Sequence, residues 1–239
     1  MQGITSAEPT TFTATQESAA VVSGPRSYAK YAAEAIGTFF LVFTLGAAAS
    51  SGSLLTPLAV GGVLMVMVYA GGHISGGHYN PAVTLAVLVR RRISLRDAVH
   101  YWVVQFGAGL VAAAVVRWII DPVYARPVAM LTLPAQRLVA VFLVELLFTF
   151  ALCYVVLNVT TGKRHPNNSY YGLAIGFTVV SGAFAVGAVS GGAFNSSVTV
   201  AAAAAGLFAW PTLWIYLAAQ AIGCVAAGMT CTRLSPEDR

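Results

Sequence analysis

Apolar residues along this chain come in long blocks, not in the alternation of a soluble amphipathic fold. Six blocks are long enough to cross about 30 Å of hydrocarbon, which takes about 20 residues of helix. They run roughly over 29–50, 57–73, 96–117, 136–158, 169–188 and 211–231. Two shorter apolar pieces, 80–89 and 195–205, follow the second and the fifth block. Neither is long enough to span. Short apolar pieces in matching positions of two halves predict broken, re-entrant helices that line a path, because irregular backbone survives at membrane depth only against protein or a cavity. The predicted fold is an all-α membrane protein with six transmembrane helices and two re-entrant half-helices.

Composition agrees. Of 239 residues, 58% are hydrophobic and 9% charged, where a soluble domain carries about 25% charged residues. Residues 1–27 are rich in Thr, Ser and Ala, with no basic run followed by an apolar core. They read as a disordered cytoplasmic tail and not as a signal peptide. The membrane domain is expected over 28–232, and 233–239 form a second tail. Cys153, Cys224 and Cys231 sit in or beside apolar runs without metal-ligand spacing. They read as small buried hydrophobes.

The net charge of +5 is a topology signal. If both termini are cytoplasmic and the short pieces dip in and return, Arg26, Lys30, Arg90, Arg91, Arg92, Arg96, Lys163, Arg164, Arg233 and Arg239 lie inside. Only Arg117, Arg126 and Arg137 lie outside, ten against three of the 13 basic residues. That asymmetry is the positive-inside pattern. It leaves no basic patch for nucleic acid, and the expected surroundings are membrane lipid, at the plasma membrane.

The two halves repeat. Gly72 to Thr84 reads GHISGGHYNPAVT and Gly187 to Thr199 reads GAVSGGAFNSSVT. Adding 115 carries Ser75-Gly76-Gly77 onto Ser190-Gly191-Gly192, Asn80 onto Asn195, Thr84 onto Thr199, Tyr101 onto Tyr216 and Gln105 onto Gln220. Adding 111 carries Glu34 and Thr38 onto Glu145 and Thr149. Repeat one covers about 29–120 and repeat two about 136–232. Each holds three spans, an odd number, so the second copy is inverted relative to the first. The two short pieces then enter from opposite faces and meet near the midplane.

Asn80 and Pro81 are the residue types preferred at an N-cap and at the first helical position. A capping Asn spends its side-chain oxygen on its own helix and leaves its NH₂ as an outward donor. Two such asparagines, Asn80 and Asn195, would offer a solute two donors. Each half-helix N-terminus carries about half a positive charge. At ~5 Å and an effective dielectric of ~20, each repels a cation by about 1.7 kcal/mol. The arrangement favours a neutral solute bearing an acceptor oxygen. The Gly-rich approaches, with Gly76, Gly77 and Gly191, permit left-handed backbone and could turn carbonyls toward a path.

Glu34 and Glu145 are acids inside spans and need partners there. Their symmetric placement points to bracing of N–H groups in the adjacent Gly-rich segments, with proton relay as the alternative. His78 is expected to face the path and His73 to be packed or hydrogen-bonded. There is no metal cluster, nucleophile–base pair or phosphate loop. Nothing points to an enzyme or a cofactor.

These residues resemble the aquaporin, or major intrinsic protein, family. The resemblance rests on GHISGGHYNPAVT, the inverted three-span repeat and the Glu-x-x-x-Thr openings, and covers roughly 30–232. It implies a bundle with a pore in each protomer, a homotetramer, and passage of water, glycerol or other small neutral solutes without a cofactor. The first motif, with Pro81 and Ala82, is intact. The second is degenerate, with Ser196 and Ser197. The family's usual constriction, carried over by spacing, falls on Val60, Ala183, Gly192 and Val198. None is aromatic, and Val198 stands where an Arg is usual. The resemblance so amended implies a wide, apolar constriction suited to glycerol, urea, ammonia or similar solutes. Pro81 is expected to face Ser196 across a slightly more polar and looser midplane. Competing readings are a cation-leaky pore, a closed structural protein, and a secondary transporter that would need Glu34 or Glu145 as its coupling site.

Overall fold

The structure, a computed structural model, describes residues 27–124, 137–163 and 168–236. The expected tail up to residue 26, together with Arg126, Arg164 and Arg239, lies outside the described residues. Ser27, placed in that tail by the sequence, already opens α1.

The elements follow the predicted order: α1 Ser27–Ser51, α2 Thr56–Ser75, α3 Pro81–Val89, α4 Leu95–Val115, α5 Asp121–Tyr124, α6 Leu138–Thr161, α7 Tyr171–Ser190, α8 Ser196–Ala204 and α9 Leu213–Leu234. One π-turn, Val116–Ile120, joins α4 to α5. Among the described residues, six helical stretches are long and apolar enough to cross a membrane: Tyr28–Ser51, Thr56–Ser75, Leu95–Val123, Leu138–Thr161, Tyr171–Ser190 and Trp210–Leu234. The half-helices α3 and α8 have nine residues each. The chain is a multi-pass membrane protein of the predicted all-helical class.

The packing repeats as the sequence does. In the first half α1 packs on α2 and α4; in the second, α6 packs on α7 and α9. The half-helices cross over. α3 packs on α9 and α6 of the second half, and α8 on α4 and α1 of the first. Each repeat therefore holds the other's short helix.

The halves join along α2 and α7. A Cβ on Gly61 would sit 2.5 Å from the carbonyl oxygen of Gly176, and a Cβ on Gly176 would sit 2.5 Å from that of Gly61. These glycines are another pair at offset 115. With no aqueous driving force between helices in lipid, such small residues let backbones approach and supply the packing.

Two basic residues sit at the half-helix ends. Arg90 is 2% exposed and caps the C-terminus of α3. Arg117 sits in the π-turn and its Nη1 donates to the carbonyl of Ala205, the C-cap of α8, at 3.3 Å. A cation at each half-helix C-terminus complements the negative end of the helix dipole. His73, expected to be packed, is exposed.

Candidate functional site

Both half-helices begin in the same way. Asn80 caps α3 with extended backbone, φ −157° and ψ 120°, and Oδ1 accepts from the N–H of Ala82 at 2.8 Å. Asn195 caps α8 with φ −152° and ψ 120°, and Oδ1 accepts from the N–H groups of Ser197 at 2.9 Å and Val198 at 3.3 Å. The approaches coil through left-handed backbone. φ is 92° at Gly76, 65° at Gly77 and 48° at Tyr79; it is 87° at Gly191, 67° at Gly192 and 47° at Phe194. Glycine takes such angles without strain, whereas Tyr79 and Phe194 each store about 1–3 kcal/mol.

Two carboxylates hold this strained backbone. Glu34 Oε1 accepts from Ser75 Oγ at 2.7 Å and from the N–H of His78 at 2.9 Å. Its Oε2 accepts from the N–H of Tyr79 at 2.7 Å and from Gln105 Nε2 at 2.8 Å. Glu145 Oε1 accepts from Ser190 Oγ at 2.7 Å and from the N–H of Ala193 at 3.0 Å. Its Oε2 accepts from the N–H of Phe194 at 2.9 Å and from Gln220 Nε2 at 3.1 Å. Both carboxylates are fully buried. Four donors each satisfy them, and they in turn satisfy N–H groups that no helix claims.

The asparagine amides do more than point outward. Asn80 Nδ2 donates to the carbonyl of Phe194 at 2.8 Å, and Asn195 Nδ2 to that of Tyr79 at 2.8 Å. One N–H of each amide is thus spent on the opposite approach, and one is left. The sequence reading had left both free. The carbonyls before each cap lack a helical donor, and the opposing amide supplies one.

Beside this knot lies a small, narrow, mostly apolar cavity. Its wall is built in helical i, i+4 pairs: Leu41 and Leu45 from α1, Val60 and Leu64 from α2, Leu152 and Val156 from α6, Ile175 and Val179 from α7. His78, Asn80 and Val83 come from the first re-entrant piece; Gly192, Ala193, Asn195 and Val198 come from the second. Adding 111 carries the α1 pair onto the α6 pair. Adding 115 carries Val60, Leu64, His78, Asn80 and Val83 onto Ile175, Val179, Ala193, Asn195 and Val198. The wall itself is two-fold. His78 opposite Ala193 is the one pair whose chemistry differs.

His78 also borders a second, more open cleft, walled on the side of the basic run by Lys30, Gly76, Arg92, Ser94, Asp97 and Tyr101 among others. It therefore stands between the two spaces. Its Nδ1 lies 3.0 Å from Thr84 Oγ1. Thr84 Oγ1 itself donates to the carbonyl of Asn80 at 3.1 Å and accepts from Gln105 Nε2 at 3.1 Å. With that hydroxyl proton spent, Nδ1 carries the ring hydrogen and Nε2 is left as an acceptor.

Of the four residues carried over for a constriction, Val60, Gly192 and Val198 wall the central cavity. Ala183 does not. It backs onto Gly192, where a Cβ would meet its Cα at 3.1 Å. Val179, one turn earlier on α7, is the wall residue. Gly77 and Gly191 are likewise outside the wall, serving the turns behind it. Apart from Val60, sequence reasoning missed the aliphatic pairs, because the repeat offsets relate these positions to one another without saying which face of a helix meets the path. Ser197 is buried with no hydrogen-bond partner for its hydroxyl among the described residues. The hydroxyl of Ser196 donates to Gln220 Oε1 at 3.0 Å. Among the described residues no three His, Cys, Asp or Glu side chains come together as a metal site.

Comparison with known proteins fits this geometry. Residues 21–231 match the family model described as Major intrinsic protein. The chain is 37% identical over 216 residues to the glycerol uptake facilitator protein-like 6 of Lactiplantibacillus plantarum, covering 87% of this chain and 99% of that one. It is 36% identical over 222 residues to aquaporin NIP2-1 of Oryza sativa subsp. japonica, covering 90% of this chain and 73% of that one. The X-ray structure of the aquaglyceroporin from Plasmodium falciparum superposes with a TM-score of 0.74 at 20% identity, over 89% of this chain and 99% of that one, which shows a shared fold.

Proposed function

From the premise that this chain belongs to the major intrinsic protein family, and is a passive membrane channel for water or small solutes and not an enzyme, we propose that it passes small neutral solutes with an apolar face. Glycerol heads that class, with urea and ammonia beside it. The observation that carries the reading is the two-fold aliphatic wall with three polar side chains in it, His78, Asn80 and Asn195. An apolar wall costs a charged solute its hydration and returns nothing. The asparagine N–H donors and the His78 acceptor give a hydroxyl-bearing solute places to bind in single file.

Val60, Gly192 and Val198 form the constriction in this reading, wider than one closed by aromatic and arginine side chains. The half-helix N-termini supply the positive potential that turns cations away. Glu34 and Glu145 brace the path and do not relay protons: all four lone-pair directions of each are already filled by donors. A homotetramer in the plasma membrane completes the proposal, with both termini cytoplasmic, an orientation supported by the ten-to-three distribution of basic residues.

Stopped-flow light scattering on proteoliposomes tests it, with sucrose gradients for water and then glycerol and urea gradients. Fast solute entry that Val198→Arg abolishes is the expected result. Water flux without solute flux, unchanged by Val198→Arg, would overturn it.

A further inference from the structure

The two half-helix starts differ at one point that symmetry makes measurable. Gln105 and Gln220 occupy equivalent positions on α4 and α9. Each gives both amide hydrogens away in the same manner: Gln105 Nε2 to Glu34 Oε2 at 2.8 Å and Thr84 Oγ1 at 3.1 Å, Gln220 Nε2 to Glu145 Oε2 at 3.1 Å and Thr199 Oγ1 at 2.9 Å. Both are fully buried. Their carboxamide oxygens are treated differently. Gln105 Oε1 accepts no hydrogen bond from the described residues. Gln220 Oε1 accepts from Ser196 Oγ at 3.0 Å. Ser196 stands where the first repeat has Pro81.

Proline and serine stiffen a helix start by different means. Proline fixes φ covalently near the helical value. Serine leaves φ free but brings a hydroxyl. In α8 that hydroxyl reaches a buried acceptor that would otherwise be unmet, and an unmet buried acceptor is costly. The bond ties the first residue of α8 to the amide that also holds Glu145 and Thr199. Glu145 carries the N–H groups of Ala193 and Phe194, and Thr199 Oγ1 donates to the carbonyl of Asn195 at 2.9 Å. The N–H groups of Ala193 and Phe194 and the carbonyl of Asn195 are therefore linked, through Glu145 and Thr199, to this one side chain.

We propose that Ser196 is a positioning residue: its hydroxyl, through Gln220, fixes the start of α8 and with it the Asn195 amide at the lumen, replacing by a hydrogen bond the rigidity that Pro81 gives α3 by its ring. The altered second motif is then a compensated exchange and not a loosened one. Ser196 itself does not wall the cavity, so it touches no solute and acts through Asn195.

The test compares Ser196→Thr with Ser196→Val in the full chain. The two side chains have the same shape and differ in the hydroxyl. Thermal unfolding is followed in detergent, and the glycerol-to-water permeability ratio in proteoliposomes of one lipid composition. Ser196→Thr is expected to keep wild-type values of both. Ser196→Val is expected to unfold about 2–4 °C lower, the shift for one lost hydrogen bond in a chain of this size, and to change the permeability ratio about 2–5-fold, the scale of a fraction of a kcal/mol to one kcal/mol at a lumen contact. Pro81→Ser, which offers Gln105 Oε1 the same donor, is expected to unfold no lower than wild type. Equal behaviour of the Thr and Val variants would overturn the proposal. So would a Val variant that unfolds lower but keeps the permeability ratio, because the hydroxyl would then be structural only. The ratio rests on the solute-channel reading; the unfolding difference does not. Wild-type protein that passes water but no glycerol would sink that reading while the Thr–Val difference in unfolding still reports on Ser196.

Discussion

Asn80 and Phe194 are joined across the pseudo-two-fold axis: the Asn80 amide donates to the Phe194 carbonyl at 2.8 Å, and the mirror bond from Asn195 to Tyr79 has the same length. Each asparagine thus caps its own half-helix, ties down the other repeat's approach and keeps one N–H toward the lumen. Asn80→Ala and Asn195→Ala should each lose a cap, about 0.5–2 kcal/mol, and strand a buried carbonyl, about 1–3 kcal/mol. Thermal unfolding of the two variants should fall by similar amounts. A small effect at one and a large effect at the other would contradict the symmetry of the knot.

The carboxylates are less forgiving. Glu34→Gln and Glu145→Gln each replace an acceptor-only group by one that presents N–H donors to N–H donors. Each should cost at least about 2 kcal/mol, seen as lost yield or a lower unfolding temperature. An unchanged protein with altered pH dependence of flux would instead favour proton relay.

Position along α7 can be tested directly. Val179→Phe should cut glycerol flux by an order of magnitude or more, because Val179 walls the cavity. Ala183→Phe should act by disturbing Gly192 behind the wall, lowering stability before selectivity. Parallel permeability and unfolding measurements separate the two.

Gly61 carries its own control. Gly61→Ala would push a methyl against the Gly176 carbonyl across the α2–α7 seam, with about 1–3 kcal/mol of overpacking. Gly62→Ala has no heavy atom within 4 Å of the new methyl and should leave unfolding unchanged or slightly improved. Size-exclusion profiles and unfolding curves of the pair decide it.

His78 breaks the symmetry of the wall. His78→Ala makes that half match Ala193 and removes the acceptor between the two cavities. Flux of ammonia, which needs no such acceptor, should hold or rise, while glycerol flux should fall relative to it in proteoliposome assays.

The chain's linear pattern already contained the six spans, the two half-helices, their inversion and the residues at their starts. Length of apolar run and internal repetition are one-dimensional signals, and the capping chemistry of Asn80 and Asn195 is local. The acids Glu34 and Glu145 were visible because a charge inside a span is rare. Other features were not legible. Leu41, Leu45, Leu152 and Val156 carry no mark that separates wall from lipid face, since both faces of such a helix are apolar and hydrophobic periodicity vanishes. Val179 and not Ala183 walls the cavity because of the rotation of α7, which is set where Gly61 and Gly176 let the backbones touch. Arg90, counted from the sequence only as a basic residue on the inner side, is buried at the far end of α3. The partner of Ser196 lies 24 residues away on another helix. Only close packing, which lipid enforces through contact and not through the exclusion of water, decided which apolar side chains face the path and where the buried polar groups find each other.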